Sequence, residues 1–137
     1  MTHVDAAPRT LISTLWLVVF LQIIFKDIHA LVAPGFLDEI STGMYNGTPL
    51  TEELFLLGAL IVQLPIWAIA LTQALTARAV GWLNLIAATY AAGIAFLAWP
   101  ADLDDWFHLA AQYVALAWIV TLAWPLARKS QAQLACG

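Results

Sequence analysis

The stretch LFLLGALIVQLPIWAIALTQAL, residues 54–75, runs for 22 residues without a charged side chain. A helix of that length rises about 33 Å, enough to cross the roughly 30 Å hydrocarbon core of a bilayer. Thr51 precedes it as a candidate N-cap, and Glu52 and Glu53 follow where the helix dipole favours carboxylates. Pro65 lies inside the stretch and is expected to bend the helix near mid-membrane. The stretch therefore predicts a kinked transmembrane helix.

The rest of the chain has the same apolar character. Of its 137 residues 63% are hydrophobic and 10% are charged, with a mean hydropathy of +0.85, whereas charged residues make up about a quarter of soluble proteins. The formal charge of −4 provides no basic surface for nucleic acid. The single cysteine, Cys136, excludes an internal disulfide and a cysteine-ligated metal centre. The composition thus indicates an integral membrane protein.

Three further apolar segments resemble the first. Together the four segments and their short connections fill the chain and leave no room for a soluble domain. Thr10 is a candidate cap of the first helix, and Asp102 or Asp104 is a candidate cap of the last. Because short connections place neighbouring helices side by side, we predict an all-α, antiparallel bundle of four transmembrane helices in one domain. The predicted spans lie at about residues 10–33, 52–75, 80–99 and 104–127.

The basic residues of the predicted loops fall on one side of the membrane. Arg9 precedes span one, Arg78 lies between spans two and three, and Arg128 follows span four with Lys129 beside it. Since basic loops stay in the cytoplasm, both termini are predicted to be cytoplasmic. The start of the chain lacks the charged region of a signal peptide, so span one is expected to be retained. We expect a multi-pass protein of the bacterial inner (plasma) membrane.

Small residues in span three predict that it is the packing centre of the bundle, because they let helix backbones approach closely. Gly93 lies between two alanine ridges, which are formed by Ala87, Ala91 and Ala95 and by Ala88 and Ala92.

Five of the seven tryptophans fall near predicted helix ends, where aromatic belts form: Trp16, Trp82, Trp99, Trp106 and Trp124. Trp67 and Trp118 fall deeper and are expected to line an internal pocket.

Ionisable side chains near the outer end of span one suggest a site. The stretch IIFKDIHALVAPGF, residues 23–36, contains Lys26, Asp27 and His29. The long stem of Lys26 lets it reach the headgroups and pair with Asp27 or with an outer-loop carboxylate. Asp27 has a short stem, and its burial is costly without a partner.

Antiparallel packing brings other polar residues to the same depth, and helical spacing places several on shared faces. These faces are Gln22, Lys26 and His29 on span one; Glu52, Leu56, Ala59 and Gln63 on span two; and His108, Gln112, Ala115 and Ile119 on span four. If they converge, they enclose a polar cavity in the outer half of the bundle. The simpler alternative is that the glutamates only begin a helix, His108 lies at the interface, and the glutamines bond across helices.

The predicted cavity would suit acid–base chemistry of the isomerase or hydrolase type on a lipophilic molecule. The candidate catalytic residues are Asp27, His108, Glu52 and Glu53. The candidate ligand-binding residues are Lys26, His29, Gln63, Trp67, Gln112 and Trp118.

Two functions from different classes follow from these observations. The preferred one is a membrane-embedded binding protein or enzyme for a membrane lipid or lipophilic small molecule, and whether it catalyses a reaction stays open. The alternative is a non-catalytic membrane subunit or assembly factor that docks through the alanine ridges, as a homo-oligomer or on another membrane protein. No cofactor and no metal is predicted, although His29 and His108 are close enough in depth for a bis-histidine haem or, with Asp27, a metal ion.

The segment KDIHALVAP, followed by QLPIW around Pro65, resembles the four-helix EXPERA group, which includes the sigma-2 receptor and emopamil-binding sterol isomerases. The likeness implies a pocket that opens sideways to the membrane for sterol-like or cationic amphiphilic molecules, with Asp27 as its first-span carboxylate. The second-span acid of that group falls at Ala59, which speaks against sterol isomerisation. With its NGTPLTEE loop, the whole chain is also similar to a family of small bacterial four-span proteins of unknown function, which implies no activity.

Overall fold

In a computed structural model, which describes residues 3–45, 47–97, 100 and 102–129, the chain is predominantly helical. Its elements, in chain order, are α1 (His3–Val32), α2 (Phe36–Ser41), β1 (Met44–Tyr45), β2 (Thr48–Pro49), α3 (Glu52–Ala74), α4 (Ala77–Leu97) and α5 (Leu103–Ala127). The four long helices are each long and apolar enough to cross a membrane. The predicted all-α fold of four membrane-spanning helices is confirmed. Trp99 and Cys136 lie outside the described residues.

The helix starts follow the capping chemistry of the sequence at two places. The Thr51 hydroxyl accepts a hydrogen bond from the Leu54 amide at 3.3 Å, and Asp102 Oδ1 accepts one from the Asp105 amide at 3.1 Å. Thr10 does not begin α1, because the helix already starts at His3. The two caps therefore fix where α3 and α5 begin in the outer half of the bundle.

Arg9 anchors one end of the bundle from inside α1. Its side chain is buried, and its Nη1 donates to the backbone carbonyls of Thr72 at 3.3 Å and Leu75 at 2.6 Å. The last carbonyls of a helix have no partner within the helix, and a cation also suits the negative end of the helix dipole. Arg9 therefore caps the C-terminal end of α3 rather than lying in a loop before the first span.

A buried polar network joins α1, α3 and α4 near the same end. Trp16 is fully buried, and its indole Nε1 donates to Asn84 Oδ1 at 2.7 Å. Asn84 Nδ2 in turn donates to the Thr72 hydroxyl at 2.8 Å. Placing Trp16 in an aromatic belt was therefore wrong, because a buried indole N–H needs an acceptor and Asn84 supplies one.

The other tryptophans near helix ends are about half exposed, as a belt requires: Trp82, Trp106 and Trp124.

The closest approach of α4 and α5 occurs at Gly81. A Cβ added there would lie 2.5 Å from Ala127 Cα and 2.7 Å from the Leu126 carbonyl carbon, so only glycine fits. Gly93 has open space where a Cβ would stand, and the expectation that it packs between the alanine ridges is wrong. Ala87 and Ala88 are buried within this chain, so these ridge positions are already used by its own helices.

Helix α3 packs against the bundle along only part of its length. Every residue from 51 to 60 is exposed, whereas Pro65, Ala68 and Thr72 are buried. The outer half of α3 therefore presents its side chains to the surroundings, and α1, α4 and α5 form most of the bundle at that level.

Candidate functional site

A cavity of about 180 Å³ lies among the four long helices. Most of its walls are apolar, and they are formed by Val19, Phe20 and Ile23 of α1, Ile61, Val62 and Pro65 of α3, Ala91, Ile94 and Ala95 of α4, and Leu109 of α5. Helix α3 contributes only from Ile61 onward, where its exposed half ends. The cavity therefore lies at the level where α3 begins to pack against its neighbours.

One end of the cavity is polar and is built from α1 and α5. Lys26, Asp27 and Asp105 line it there, whereas Gln112 lines the cavity two helical turns further along α5, about 10.5 Å deeper than Asp105. Lys26 Nζ lies 3.8 Å from Asp105 Oδ2. The expected pairing of Lys26 with a carboxylate of the outer side is present, and the partner is Asp105 on α5 rather than the adjacent Asp27.

Gln112 is the most informative of the lining residues. It is only 5% exposed, and the structure shows no hydrogen bond from its side-chain amide to any described residue. The amide opens onto the cavity, because Arg9 Nε is the one fully buried side-chain nitrogen or oxygen atom without a partner among the described residues. Because Gln112 lines the cavity, a molecule in that space would supply the missing partner.

Asp27 stands at the edge of the cavity. Asp27 is an exposed residue that lines the cavity. Among the described residues, none forms an ion pair or a hydrogen bond with its carboxylate. Asp27 is thus neither turned toward His108 nor neutralised by direct pairing with Lys26.

The remaining residues predicted for the cavity do not come together there. Glu52 and Glu53 are exposed on the outer half of α3, and Gln63 is exposed further along the same helix, where Ile61, Val62 and Pro65 line the cavity instead. Trp67 is 58% exposed and Trp118 is 50% exposed. The predicted convergence of these side chains is wrong, because helical spacing fixes which residues share a face and leaves open which face meets a neighbour.

His108 lies beside the cavity, on the seam between α1 and α5. It is buried, at 8% exposed, and its Nδ1 lies 2.6 Å from Gln22 Oε1. The His29 ring is 5.5 Å from the His108 ring, measured between centroids. His29 Nδ1 also lies 2.9 Å from Asp104 Oδ2.

The shared face of Gln22, Lys26 and His29 is confirmed, since each of the three contacts α5. The predicted face of α5 is confirmed as well: His108, Gln112, Ala115 and Ile119 are all buried.

The candidate site residues named from the sequence do not include two carboxylates of this region, Asp104 and Asp105. The spacing contained the signal, because residues seven apart lie on one helix face and Asp105 is seven before Gln112. Asp104 likewise precedes His108 by four. Asp104 was interpreted as a candidate cap of the last helix.

The fold and site define a multi-pass membrane protein, a four-helix bundle that contains a cavity with charged residues at its outer end. The chain belongs to a family of unknown function, DUF6326, whose model matches residues 2–103. That match covers α1 to α4 and ends at the first residue of α5. No curated protein and no solved structure matches the chain significantly. The predicted kinship with a family of unknown function is confirmed, and the resemblance to the EXPERA group finds no support.

Proposed function

We propose that the protein binds a membrane lipid or lipophilic small molecule in this cavity, with the polar groups of the ligand facing the wall formed by α1 and α5. The observation that carries the proposal is Gln112, a buried residue that lines the cavity and whose side-chain amide has no partner among the described residues. A polar group that faces an apolar cavity is stabilised by a hydrogen-bonding partner in that cavity. A ligand hydroxyl, amine or carbonyl would satisfy it.

The charges at the polar end favour one class of head group. Lys26 supplies one positive charge, and Asp27 and Asp105 supply two negative ones. The cavity end is therefore net acidic when all three are ionised, and Lys26 is already paired with Asp105. A head group that donates hydrogen bonds, such as an amine or a hydroxyl, complements this arrangement better than a phosphate does.

The size of the cavity limits how much of the ligand it holds. An apolar cavity of about 150 Å³ accommodates a benzene molecule, and this cavity has a volume of about 180 Å³. It therefore suits a head group with a short apolar segment rather than a whole sterol. The remainder of a longer ligand would lie in the surrounding lipid, next to the exposed half of α3.

Binding is proposed here rather than turnover. Asp27 and His108 are the acid–base candidates of the sequence analysis, and the two do not meet: Asp27 lines the cavity, while His108 bonds Gln22.

The side of the membrane on which the cavity lies follows from the basic residues, because Arg9, Arg78 and Arg128 lie at one end of the bundle. By the positive-inside rule the cavity faces the outer leaflet of a bacterial inner membrane.

The test is to purify the protein in a mild detergent and identify co-purified small molecules by mass spectrometry. The wild-type protein should retain an amphiphile with an amine or hydroxyl head. Gln112→Leu and Asp27→Asn should retain about tenfold less, which corresponds to about one lost buried hydrogen bond. Asp38→Asn removes an exposed carboxylate of α2 and is the matched control. Equal retention by all four proteins would contradict the proposal.

The alternative function, a non-catalytic subunit or assembly factor, is favoured by a different observation. Ten consecutive residues at the outer end of α3, 51 to 60, are exposed. Lipid would cover their apolar members in a lone bundle, and a membrane partner would cover them in a complex. Stoichiometric co-purification of another membrane protein, with no retained amphiphile, would favour this alternative.

A further inference from the structure

His29, Asp104 and His108 form a cluster on the side of the α1–α5 seam that does not line the cavity. One candidate ligand atom from each residue lies within 4.8 Å of the others. His29 comes from the last turn of α1, and the other two come from the first turns of α5. Two helices thus bring two imidazoles and one carboxylate together.

The surroundings of His108 match those of a metal-binding histidine. Its Nδ1 lies 2.6 Å from Gln22 Oε1. A glutamine carbonyl only accepts hydrogen bonds, so in the neutral ring this contact assigns the proton to Nδ1 and leaves the Nε2 lone pair free. Metal-ligating histidines usually donate their other ring N–H in this way, which fixes both tautomer and ring orientation.

The spacing of the ligand atoms suits a small cation. Zinc binds histidine nitrogen at about 2.0–2.1 Å and carboxylate oxygen at about 2.0–2.2 Å, so tetrahedral ligands lie about 3.4 Å apart. His29 Nδ1 and Asp104 Oδ2 are 2.9 Å apart and would separate by about 0.5 Å around an ion, while a shift of up to about 1.4 Å would bring the third ligand, now within 4.8 Å, into range.

One side of the cluster is open to the surroundings. The side chain of His29 is 50% exposed and that of Asp104 is 44% exposed, whereas His108 is buried behind them. An ion would therefore have an entry path and an open fourth position for water or an exogenous ligand, as in sites with three protein ligands.

We propose that His29, Asp104 and His108 bind one divalent transition-metal ion of the zinc type at the outer end of the bundle. Two imidazoles and a single carboxylate favour such an ion over magnesium or calcium, which prefer oxygen ligands throughout. The ion would tie the end of α1 to the start of α5. This site is separate from the cavity and does not depend on the proposed ligand.

The test is zinc binding by the full chain after removal of any affinity tag, measured by isothermal titration calorimetry and by metal analysis after dialysis. The wild-type protein should bind one zinc ion per chain. His29→Gln should weaken binding at least tenfold, and because His29 is exposed this change leaves the helix core intact. Gln22→Leu, which removes only the partner of His108, should weaken it by about 10–100-fold. The matched control is His3→Gln at the opposite end of α1, which should bind as the wild type does.

Cobalt(II) gives a second readout, because its visible absorption reports the ligand atoms. Tetrahedral coordination by two imidazoles should give an intense band that is lost in His29→Gln and His108→Gln. Zinc binding that persists unchanged in both variants would assign the ion to the neighbouring aspartates Asp102, Asp104 and Asp105 and overturn the proposal. Absence of micromolar binding by the wild type, or its loss in His3→Gln, would overturn it as well.

Discussion

Replacing Gly81 with alanine tests how the bundle is packed. The added Cβ would lie 2.5 Å from Ala127 Cα and 2.7 Å from the Leu126 carbonyl carbon, where ordinary contacts are 3.4–4 Å. Both opposing atoms belong to the backbone of α5, so no side-chain rotation relieves the clash. Helices α4 and α5 would have to separate by about 1 Å at this point.

The magnitude follows from two opposing effects. Overpacking of a well-packed interface costs about 1–3 kcal/mol, and a clash with backbone belongs at the upper end of that range. Alanine also gains about 1 kcal/mol over glycine in a helix interior. Gly81→Ala should therefore lower the free energy of unfolding by about 2 kcal/mol.

The assay is reversible unfolding in mixed detergent micelles, followed by circular dichroism. Gly93→Ala is the matched control, because it lies in the same helix with no atom near its would-be Cβ. It should raise the free energy of unfolding by about 1 kcal/mol through helix propensity alone. If both variants shift the unfolding midpoint alike, the close approach of α4 and α5 at Gly81 is refuted.

Two further substitutions probe the polar contacts of the fold. Trp16→Phe removes the indole donor to Asn84 and leaves a buried amide oxygen unpaired, so it should lower the free energy of unfolding by about 1–3 kcal/mol; the same change at Trp82, which is 52% exposed, should have little effect, and equal losses would contradict the network. Asp102→Ala removes the side-chain cap of α5 and should cost about 0.5–2 kcal/mol; an unchanged unfolding midpoint would show that the cap contributes no stability.

The sequence predicted those features of the fold that depend on local chemistry. Thr51 and Asp102 act as caps because each is a short polar side chain followed by a long apolar run. The membership of the two faces at the α1–α5 seam was also predictable, since helical spacing alone aligns Lys26 with His29 and His108 with Gln112; that these faces meet was not. These features require no knowledge of neighbouring helices.

Features that depend on a distant partner were not predictable. Trp16 has the position of a belt residue, and only Asn84, 68 positions later, draws its indole into the core. Gly81 and Gly93 both lie in the same apolar helix, and their sequence neighbours do not tell them apart. Only the position of α5, which approaches Gly81 and not Gly93, distinguishes them. Gln63 shares a face with Glu52, but both residues are exposed, and α3 lines the cavity with Ile61, Val62 and Pro65 instead.

The central claim is that the outer half of the bundle holds a small molecule in its cavity, and filling the cavity from Ala95 tests it most directly. Ala95 lines the space, and Ala95→Val, Ala95→Leu and Ala95→Phe reduce its volume in steps. Ile86→Phe adds bulk on the same helix at a position that is 59% exposed and is the control. The account predicts that the amount of co-purified amphiphile per chain falls stepwise along the Ala95 series and stays at the wild-type level in Ile86→Phe. Retention that is equal in Ala95→Phe and the wild type, or absent from the wild type, would contradict it.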